Sequence, residues 1–204
     1  TRLDTFEKAL DDTVFQEVTG ITLAQFATLR DVHQFFDEVV FNESVQTFLR
    51  KKEALSDYFE AKDEDIFDYI PPQQTNQIFT PKAVVKRMVD KMVEHDPLIF
   101  EDSNKTFIDL YMKSGLYITE VVKRLYGSAG LKGAFPDDFD RLKHILENQV
   151  YGFAPSEIIY KIATNYIFGR YDSISHKNFK MVDTTPFAKE GKLAELVEES
   201  FRRK

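Results

Sequence analysis

The chain of 204 residues contains no cysteine and no tryptophan. Without cysteine it cannot form a disulfide framework or a zinc site built on thiolates. It also lacks an apolar run that approaches the roughly 20 residues of a membrane-spanning helix. Its first residues do not carry the apolar core of a secretory signal peptide. These absences predict a cytoplasmic protein that does not enter a membrane.

Several common catalytic signatures are absent as well. The chain has no Gly-x-Ser-x-Gly nucleophile motif, no Gly-Lys-Ser/Thr phosphate loop and no glycine-rich dinucleotide fingerprint. The four histidines do not show the spacing of metal ligands. These absences argue against a serine hydrolase, a P-loop nucleotide hydrolase, a nicotinamide-dependent enzyme and a histidine-based metal site.

The composition that remains is typical of a globular protein, with 43% apolar and 30% charged residues. The net charge of −7 is uneven, because residues 1–70 contain 7 basic and 16 acidic side chains whereas residues 71–204 contain 20 and 18. The acidic first part would repel nucleic acid, but the second part would not. Overall acidity is therefore only a weak argument against a DNA substrate.

Residues 1–70 are predicted to be helical. Apolar side chains, many of them phenylalanine, recur there at the spacing of helix faces. We interpret these stripes as a core between helices rather than as a cofactor pocket. Gly20 fits a helix end, and Thr22 fits the cap of the next helix. The polar, proline-led segment 71–77 is predicted to be a linker to a second domain, 78–204.

In residues 78–204, short β-prone segments alternate with helical patterns. The predicted strands are 106–111, 149–154 and 179–183, and a predicted helix follows each of them. A further helix precedes the first strand, with Thr80 as its N-cap and Pro81 as its first residue, and 127–136 is expected to be a loop. This alternation predicts an α/β fold with a mostly parallel sheet.

The turn after the first predicted strand is a candidate ligand site. Met112, Lys113, Ser114 and Gly115 separate that strand from a helix. In α/β proteins, ligands bind where the carboxyl end of a strand meets the amino end of a helix. Taken alone, however, the stretch is better explained as an ordinary strand-to-helix turn with one glycine.

Four elements considered together are more specific. They are Phe79-Thr80-Pro81, segment 109–115 after the first strand, segment 152–155 after the second and Asp183 after the third. Their order and spacing resemble the amino-terminal half of a DNA adenine-N6 methyltransferase of the restriction–modification type, over roughly residues 76–201. Tyr151-Gly152-Phe153 is similar to the second-strand signature of that family. The resemblance implies an incomplete Rossmann-like domain that binds S-adenosylmethionine (SAM).

The resemblance also implies where the cofactor would lie. The Phe79-Thr80-Pro81 segment matches one that touches the methionine end of SAM, and segment 109–115 matches the loop that approaches the cofactor through its backbone. Asp183 matches an acid that accepts a hydrogen bond from the adenine amino group. The cofactor-binding positions implied in this way are Phe79, Thr80, Pro81, Asp109, Met112, Lys113, Ser114, Gly115, Ala154 and Asp183.

Three positions depart from the family pattern. Leu110 replaces the family's usual proline, and Lys113 stands where the family's loop has its first glycine, so that a side chain meets the ligand in place of bare backbone. Ala154 stands where the family places an acid for the ribose hydroxyls, although Glu157, one helical turn on, is a candidate substitute. The departures at Lys113 and Ala154 predict that SAM binds weakly or not at all.

The family's catalytic motif, Asn or Asp followed by Pro-Pro and an aromatic residue, is absent after the third predicted strand. That motif holds the target amine, so we expect no catalytic residue in this chain and no methyl transfer by the chain alone. We interpret the chain as the amino-terminal fragment of a larger adenine-specific DNA methyltransferase. Its partners would be DNA and a restriction or specificity subunit or domain. The alternative is a methyltransferase-like module that binds DNA or a subunit without catalysis.

The fragment interpretation has a consequence for the sheet. In the family's topology the first strand lies between the second and the fourth, and only three strands are predicted here. Segment 106–111 should therefore leave one row of backbone donors and acceptors unpaired within the chain. Because an open strand edge readily pairs with another chain, we expect the fragment to tend to self-associate.

Overall fold

The structure is a computed structural model that describes residues 2–55, 80–169, 171 and 173–201. By its internal contacts the chain divides into two compact units, Thr1–Ile78 and Phe79–Lys204. The predicted linker 71–77 and the predicted site residue Phe79 lie outside the described residues. No described helix combines the length and the apolarity that crossing a bilayer requires.

The described elements of the N-terminal unit are all helical. A 3₁₀ helix, Leu3–Ala9, precedes α1 (Asp12–Thr19), α2 (Leu23–Asp31) and α3 (Glu38–Leu55). Leu3, Phe15 and Phe26 are buried together. The ring of Phe6 packs on this group, with its centroid 5.8 Å from that of Phe15 and 4.9 Å from that of Phe26. The phenylalanine stripes therefore form a core between helices, as the sequence predicts.

Local sequence signals set two helix boundaries in this unit. Gly20 ends α1 with a φ of 79°, a left-handed conformation that glycine adopts without strain. Thr22 begins α2 by accepting a hydrogen bond from Gln25 N, and the Gln25 side chain accepts one from Thr22 N at 2.8 Å. Both boundaries confirm the sequence prediction.

The C-terminal unit combines helices with a small sheet. Its strands are β1 (Phe107–Asp109), β2 (Val150–Ala154) and β3 (Phe179–Met181). Its helices are α4 (Lys82–His95), α5 (Leu116–Gly127), α6 (Ala129–Ala134), α7 (Asp138–His144), α8 (Glu157–Phe168), α9 (Thr185–Lys189) and α10 (Leu193–Phe201). A π-helical turn, Ile145–Gln149, leads from α7 into β2.

The sheet is parallel, and the order of its strands is β1-β2-β3. Phe107 pairs with Val150, and Gly152 pairs with Phe179. Parallel neighbours need long crossover connections, which here contain α5, α6 and α7 in one case and α8 in the other. The predicted fold class is confirmed, because a helical N-terminal region precedes a partial Rossmann-like α/β domain.

Among the described residues, β1 is an edge strand that pairs with β2 alone. The sequence predicts this edge position, but the strand is shorter than the predicted segment 106–111. Asp109 accounts for the early end, since its Oδ1 accepts a hydrogen bond from Tyr111 N at 3.0 Å. Aspartate bonded in this way to the backbone two residues on turns the chain away from the strand direction.

Strand β3 ends at Met181, two residues before its predicted end, and boundaries near three helices also differ from the sequence prediction. Segment 127–136 contains α6 instead of a loop, and the N-cap Ser128 accepts a hydrogen bond from Leu131 N at 3.2 Å. Helix α9 starts at Thr185, where only a strand end is predicted. The N-cap of α4 is Pro81 and not Thr80, and no side chain caps that helix. Proline is compatible with a helix start because the first N–H groups have no intrahelical acceptor.

Candidate functional site

The connection between β1 and α5 is tied by hydrogen bonds to β2 and to the segment that follows β3. Met112 N donates to Phe153 O on β2 at 2.7 Å. The Leu110 carbonyl accepts from the Thr184 hydroxyl, which follows β3, also at 2.7 Å. The connection is therefore held in place by the sheet that it leaves, although it has no regular structure of its own.

Gly115 allows α5 to begin with a left-handed backbone conformation and in close contact with α8. Its φ is 83°, in the left-handed region that disfavours other residues. A Cβ at this position would lie 3.1 Å from Ile167 Cγ1 and 3.2 Å from Ala163 O, both on α8. The preceding Ser114 is buried, and its Oγ accepts a hydrogen bond from Leu116 N at 3.3 Å. The turn thus needs glycine both for its backbone angle and for the approach of α8.

This turn opens onto a cleft of about 390 Å³ within the C-terminal unit. That volume lies in the range of small-molecule sites. The walls come from the start of α4, the end of β1, the connection and the first turn of α5. Among the residues implied by the family resemblance, those that line the cleft are Thr80, Asp109, Lys113, Ser114 and Gly115.

The remaining wall of the cleft is apolar or aromatic, and sequence reasoning identified only Leu110 and Tyr111 of it, as members of segment 109–115. It consists of Val85, Met88, Ile108, Leu110, Tyr111, Leu116 and Tyr117. The helical spacing of α4 marks Val85 and Met88 as apolar, but spacing alone does not tell that both line a cleft. That information comes from the packing of α4 against α5, which is a tertiary contact.

Two ionisable groups that line the cleft, Asp109 and Tyr117, interact electrostatically. Burial raises the pKa of the Asp109 carboxyl, and the hydrogen bond from Tyr111 N opposes that shift only in part. Burial and the nearby charge of Asp109 also raise the pKa of Tyr117. The Tyr117 hydroxyl lies 3.5 Å from Met92 Sδ, to which it donates. Among the described residues, no three histidine, aspartate or glutamate side chains converge to hold a metal ion.

Two of the implied site residues are buried outside the cleft lining. Met112 is fully buried, and its Sδ would lie 3.0 Å from a Cβ placed on Gly152. Ala154 is fully buried as well, and its carbonyl accepts a hydrogen bond from Val182 N at 2.8 Å. Both residues pack within the sheet region instead of facing the open space.

Two further implied residues, and the candidate substitute, lie on the surface. Pro81 is exposed at the start of α4. Asp183 is exposed, and hydrogen bonds from Thr185 lower the pKa of its carboxyl. Glu157 forms an ion pair with Lys161 at 2.6 Å on the outer side of α8. None of these side chains lines the cleft, so their roles in cofactor binding stay predictions.

The chain is similar to a protein of Mycoplasma pneumoniae that is named an uncharacterized adenine-specific methylase. The two are 26% identical over 93 residues, which make up 46% of this chain and 22% of the relative. No protein-family model matches the chain, and no solved structure matches it. This similarity supports a methyltransferase-like relationship. The matched region spans about a fifth of the relative's length.

Proposed function

We propose that this chain is part of a DNA methyltransferase that transfers a methyl group from SAM to the N6 amine of adenine, within a restriction–modification system. The observation that carries the proposal is the cleft of about 390 Å³ at the carboxyl end of β1, beside the glycine that starts α5. Open α/β sheets bind their ligands in crevices of this kind. The similarity to an adenine-specific methylase supports the choice of chemistry.

The cleft offers partners for the methionine end of SAM. Within the described residues only Oδ1 of Asp109 accepts a hydrogen bond, so Oδ2 is available to the ammonium group of the cofactor. The first hydrogen bond of α5 runs from Thr119 N to Gly115 O. The N–H group of Tyr117, which lines the cleft, therefore has no intrahelical acceptor and suits a carboxylate. These groups fit this end of the cofactor.

The ribose end of SAM finds fewer partners. Ala154 has no acceptor in its side chain and is buried, and Glu157 is engaged by Lys161. A charge-assisted hydrogen bond that is not formed corresponds to roughly 1.5–3 kcal/mol, or about one to two decades in affinity. We therefore expect this chain to bind SAM more weakly than a methyltransferase that has an acid at this position.

The chain contributes binding and orientation to the proposed reaction. When bound, SAM supplies a methyl group attached to a positively charged sulfur. The target adenine must be unstacked, and its amine must be held in line with that methyl group. The residues that do so in this family form an Asn/Asp-Pro-Pro-aromatic motif, which the 204 residues do not contain. We therefore expect SAM binding without methyl transfer by these residues alone.

Calorimetric titration with SAM and with S-adenosylhomocysteine tests the proposal. Asp109→Asn should weaken SAM binding about tenfold or more, because a charged acceptor of the ammonium group is lost. Asp102→Asn is a matched control, since Asp102 Oδ1 accepts a hydrogen bond from Asn104 N at 2.8 Å in the same local arrangement but lies outside the cleft lining. No binding of SAM by the parent chain, or equal binding by Asp109→Asn, would overturn the proposal.

Incubation with radiolabelled SAM and mixed-sequence DNA tests the second part of the proposal. The chain alone should transfer no label above a control without protein. Transfer by the chain alone would show that the amine is held by residues that this sequence already contains.

A second candidate function is a methyltransferase-like module that binds DNA or a subunit without using SAM. The buried Ala154, which leaves the ribose without an acidic acceptor, favours it. A chain that binds DNA while calorimetry detects neither SAM nor S-adenosylhomocysteine binding would support this second function over the first.

A further inference from the structure

Helix α4 carries two different stripes of side chains. One stripe is buried in the C-terminal unit and includes Val85 and Val89. The other consists of Val84, Arg87, Met88 and Lys91, which follow the i, i+3, i+4, i+7 spacing of a single helix face. We call these four residues the outer stripe. An ordinary surface helix has only one apolar face, so the apolar members of the outer stripe require another explanation.

The apolar residues of the outer stripe are exposed to solvent and continue into the cleft. Val84 is 46% exposed and Met88 is 49% exposed. Met88 also lines the cleft, together with Tyr111, which is 41% exposed. The cleft therefore has a rim on which an aromatic ring and a thioether are both accessible from outside.

The charged residues of the outer stripe are cationic and weakly engaged. Arg87 forms no ion pair with any described residue. Lys91 contacts Glu94 at 2.5 Å, but the two side chains are 68% and 61% exposed, and such pairs are worth little in water. The other carboxylate of this helix, Asp90, is bound by Arg124 at 2.6 Å and does not neutralise the stripe.

We propose that the outer stripe together with Tyr111 binds a single-stranded or locally opened segment of DNA at the mouth of the cleft. Proteins bind such strands by stacking bases on aromatic and apolar side chains while cations follow the phosphates. Duplex DNA presents mainly its phosphates to such a surface, so it leaves the exposed Val84, Met88 and Tyr111 without a partner. The inference rests on the proposed function, because an unstacked adenine has to reach the space beside the cofactor.

Fluorescence anisotropy with a labelled strand of about 16 nucleotides tests the role of the cations, with the 204-residue chain as the protein. The double variant Arg87→Gln/Lys91→Gln should bind about tenfold more weakly at 100 mM salt. The slope of log affinity against log salt should also fall by about 1.4, since each lost phosphate contact on a single strand accounts for about 0.7. Lys132→Gln/Lys143→Gln removes the same charge from exposed positions on α6 and α7 and should change neither quantity.

A second set of variants tests the role of the ring. Tyr111→Ala should weaken binding of the strand roughly 5- to 150-fold, and Tyr111→Phe should restore most of it, because stacking needs the ring and not the hydroxyl. Phe139→Ala is the matched control, since Phe139 is 42% exposed but lies outside the cleft lining. Equal weakening by Phe139→Ala would reveal a nonspecific effect and overturn the assignment.

The outcomes separate this inference from the proposed function. Binding of the DNA strand that depends on Arg87, Lys91 and Tyr111 supports the inference even if calorimetry detects no SAM binding. Two results would overturn the inference and leave the proposed function intact. In the first, the chain binds SAM but binds no DNA strand at about 50 mM salt. In the second, it binds SAM and also binds the DNA strand, but substitutions of these residues do not change its affinity for the strand. Sedimentation that shows self-association abolished by Val84→Ser/Met88→Ser would assign the stripe to a second copy of the chain and also overturn it.

Discussion

Among the strand-to-helix connections of the C-terminal unit, the one after β1 and the one after β2 differ in length and in chemistry. β1 reaches α5 through residues 110–115, whereas β2 reaches α8 through residues 155 and 156. The longer connection ends at Gly115, with no side-chain cap, and lines a cleft. The shorter connection ends at Ser156, whose side chain accepts a hydrogen bond from Ile159 N at 3.5 Å.

The difference separates a turn suited to binding from a turn that completes the fold. The serine at the start of α8 already satisfies one backbone N–H of that helix, while at the start of α5 the N–H of Tyr117, a residue that lines the cleft, has no intrahelical acceptor. Asp109 at the end of β1 lines the cleft, but Ala154 at the end of β2 is fully buried. Similar positions in successive strand–helix units therefore need not have similar roles.

Among the substitutions that test this difference between the two connections, Ala154→Asp is expected to change stability the most. It places a carboxylate without a partner at a fully buried position, which should lower the free energy of unfolding by about 3–5 kcal/mol at pH 7. Urea denaturation measures the loss, and Ala194→Asp, at an exposed position in α10, should change stability by less than about 0.5 kcal/mol. An Ala154→Asp variant that stays stable and binds SAM more tightly would mean that the second turn also binds the cofactor.

Gly115→Ala should have the next largest effect, because alanine is strained at a φ of 83° and its Cβ would crowd Ile167. We expect a loss of about 2 kcal/mol in the free energy of unfolding. Gly133→Ala is the matched control, since a Cβ there meets nothing within 4 Å and alanine favours the helix by up to about 1 kcal/mol. Equal behaviour of the two variants would contradict the role given to Gly115.

Ser156→Ala should cost about 1 kcal/mol, because it removes the hydrogen-bonding cap of α8. Its affinity for SAM should stay that of the parent chain, because no residue of this connection lines the cleft. Thermal unfolding and calorimetry on the same samples measure both quantities. A loss of SAM affinity without a loss of stability would assign the shorter connection to the binding site.

The pH dependence of stability should show the smallest effect, and its sign should differ between Asp109, which ends β1, and Asp183, which follows β3. Burial raises the pKa of Asp109 in the folded chain, so its ionised form destabilises the fold. Relative to Asp109→Asn, the parent chain should gain stability as the pH falls through the native pKa, which lies above 3.8.

Asp183 provides the opposite case. Hydrogen bonds from Thr185 lower its pKa below 3.8, so its ionised form stabilises the fold. Relative to Asp183→Asn, the parent chain should lose stability as the pH falls through the native pKa. Urea midpoints measured from neutral to acidic pH for the parent and both variants test the pair, and equal signs would contradict the buried environment of Asp109.

Much of the architecture follows from local patterns in the sequence. Apolar residues at helical spacing predict the helices α4, α5 and α8, and the alternation of strands with helices predicts a parallel sheet. These features depend on the hydrophobic face of each segment, which is a property of nearby residues. The cleft turn itself is also marked, because Gly115 stands between a strand pattern and a helix pattern.

The parts that could not be predicted depend on contacts between distant residues. By residue type alone Gly130 favours a loop, yet a Cβ there would overlap Glu101 O, so glycine serves close packing inside α6. The burial of Ala154 depends on β3 and its neighbours, and the exposure of Met88 at the cleft depends on α5. Spacing along the chain carries no information on either.

Met112 in the turn beside the cleft, Gly152 in the middle of β2 and Phe179 in β3 pack together, so substitutions at these three positions depend on one another. A Cβ at Gly152 would lie 3.0 Å from Met112 Sδ and 3.1 Å from Phe179 Cδ1, so the absence of a side chain on β2 makes room for the other two. A larger residue at 152 therefore requires the side chains at both 112 and 179 to shift or to become smaller. Among homologous chains these three positions should covary in volume, and the packing of the sheet should limit which residues can replace Met112 in the turn beside the cleft.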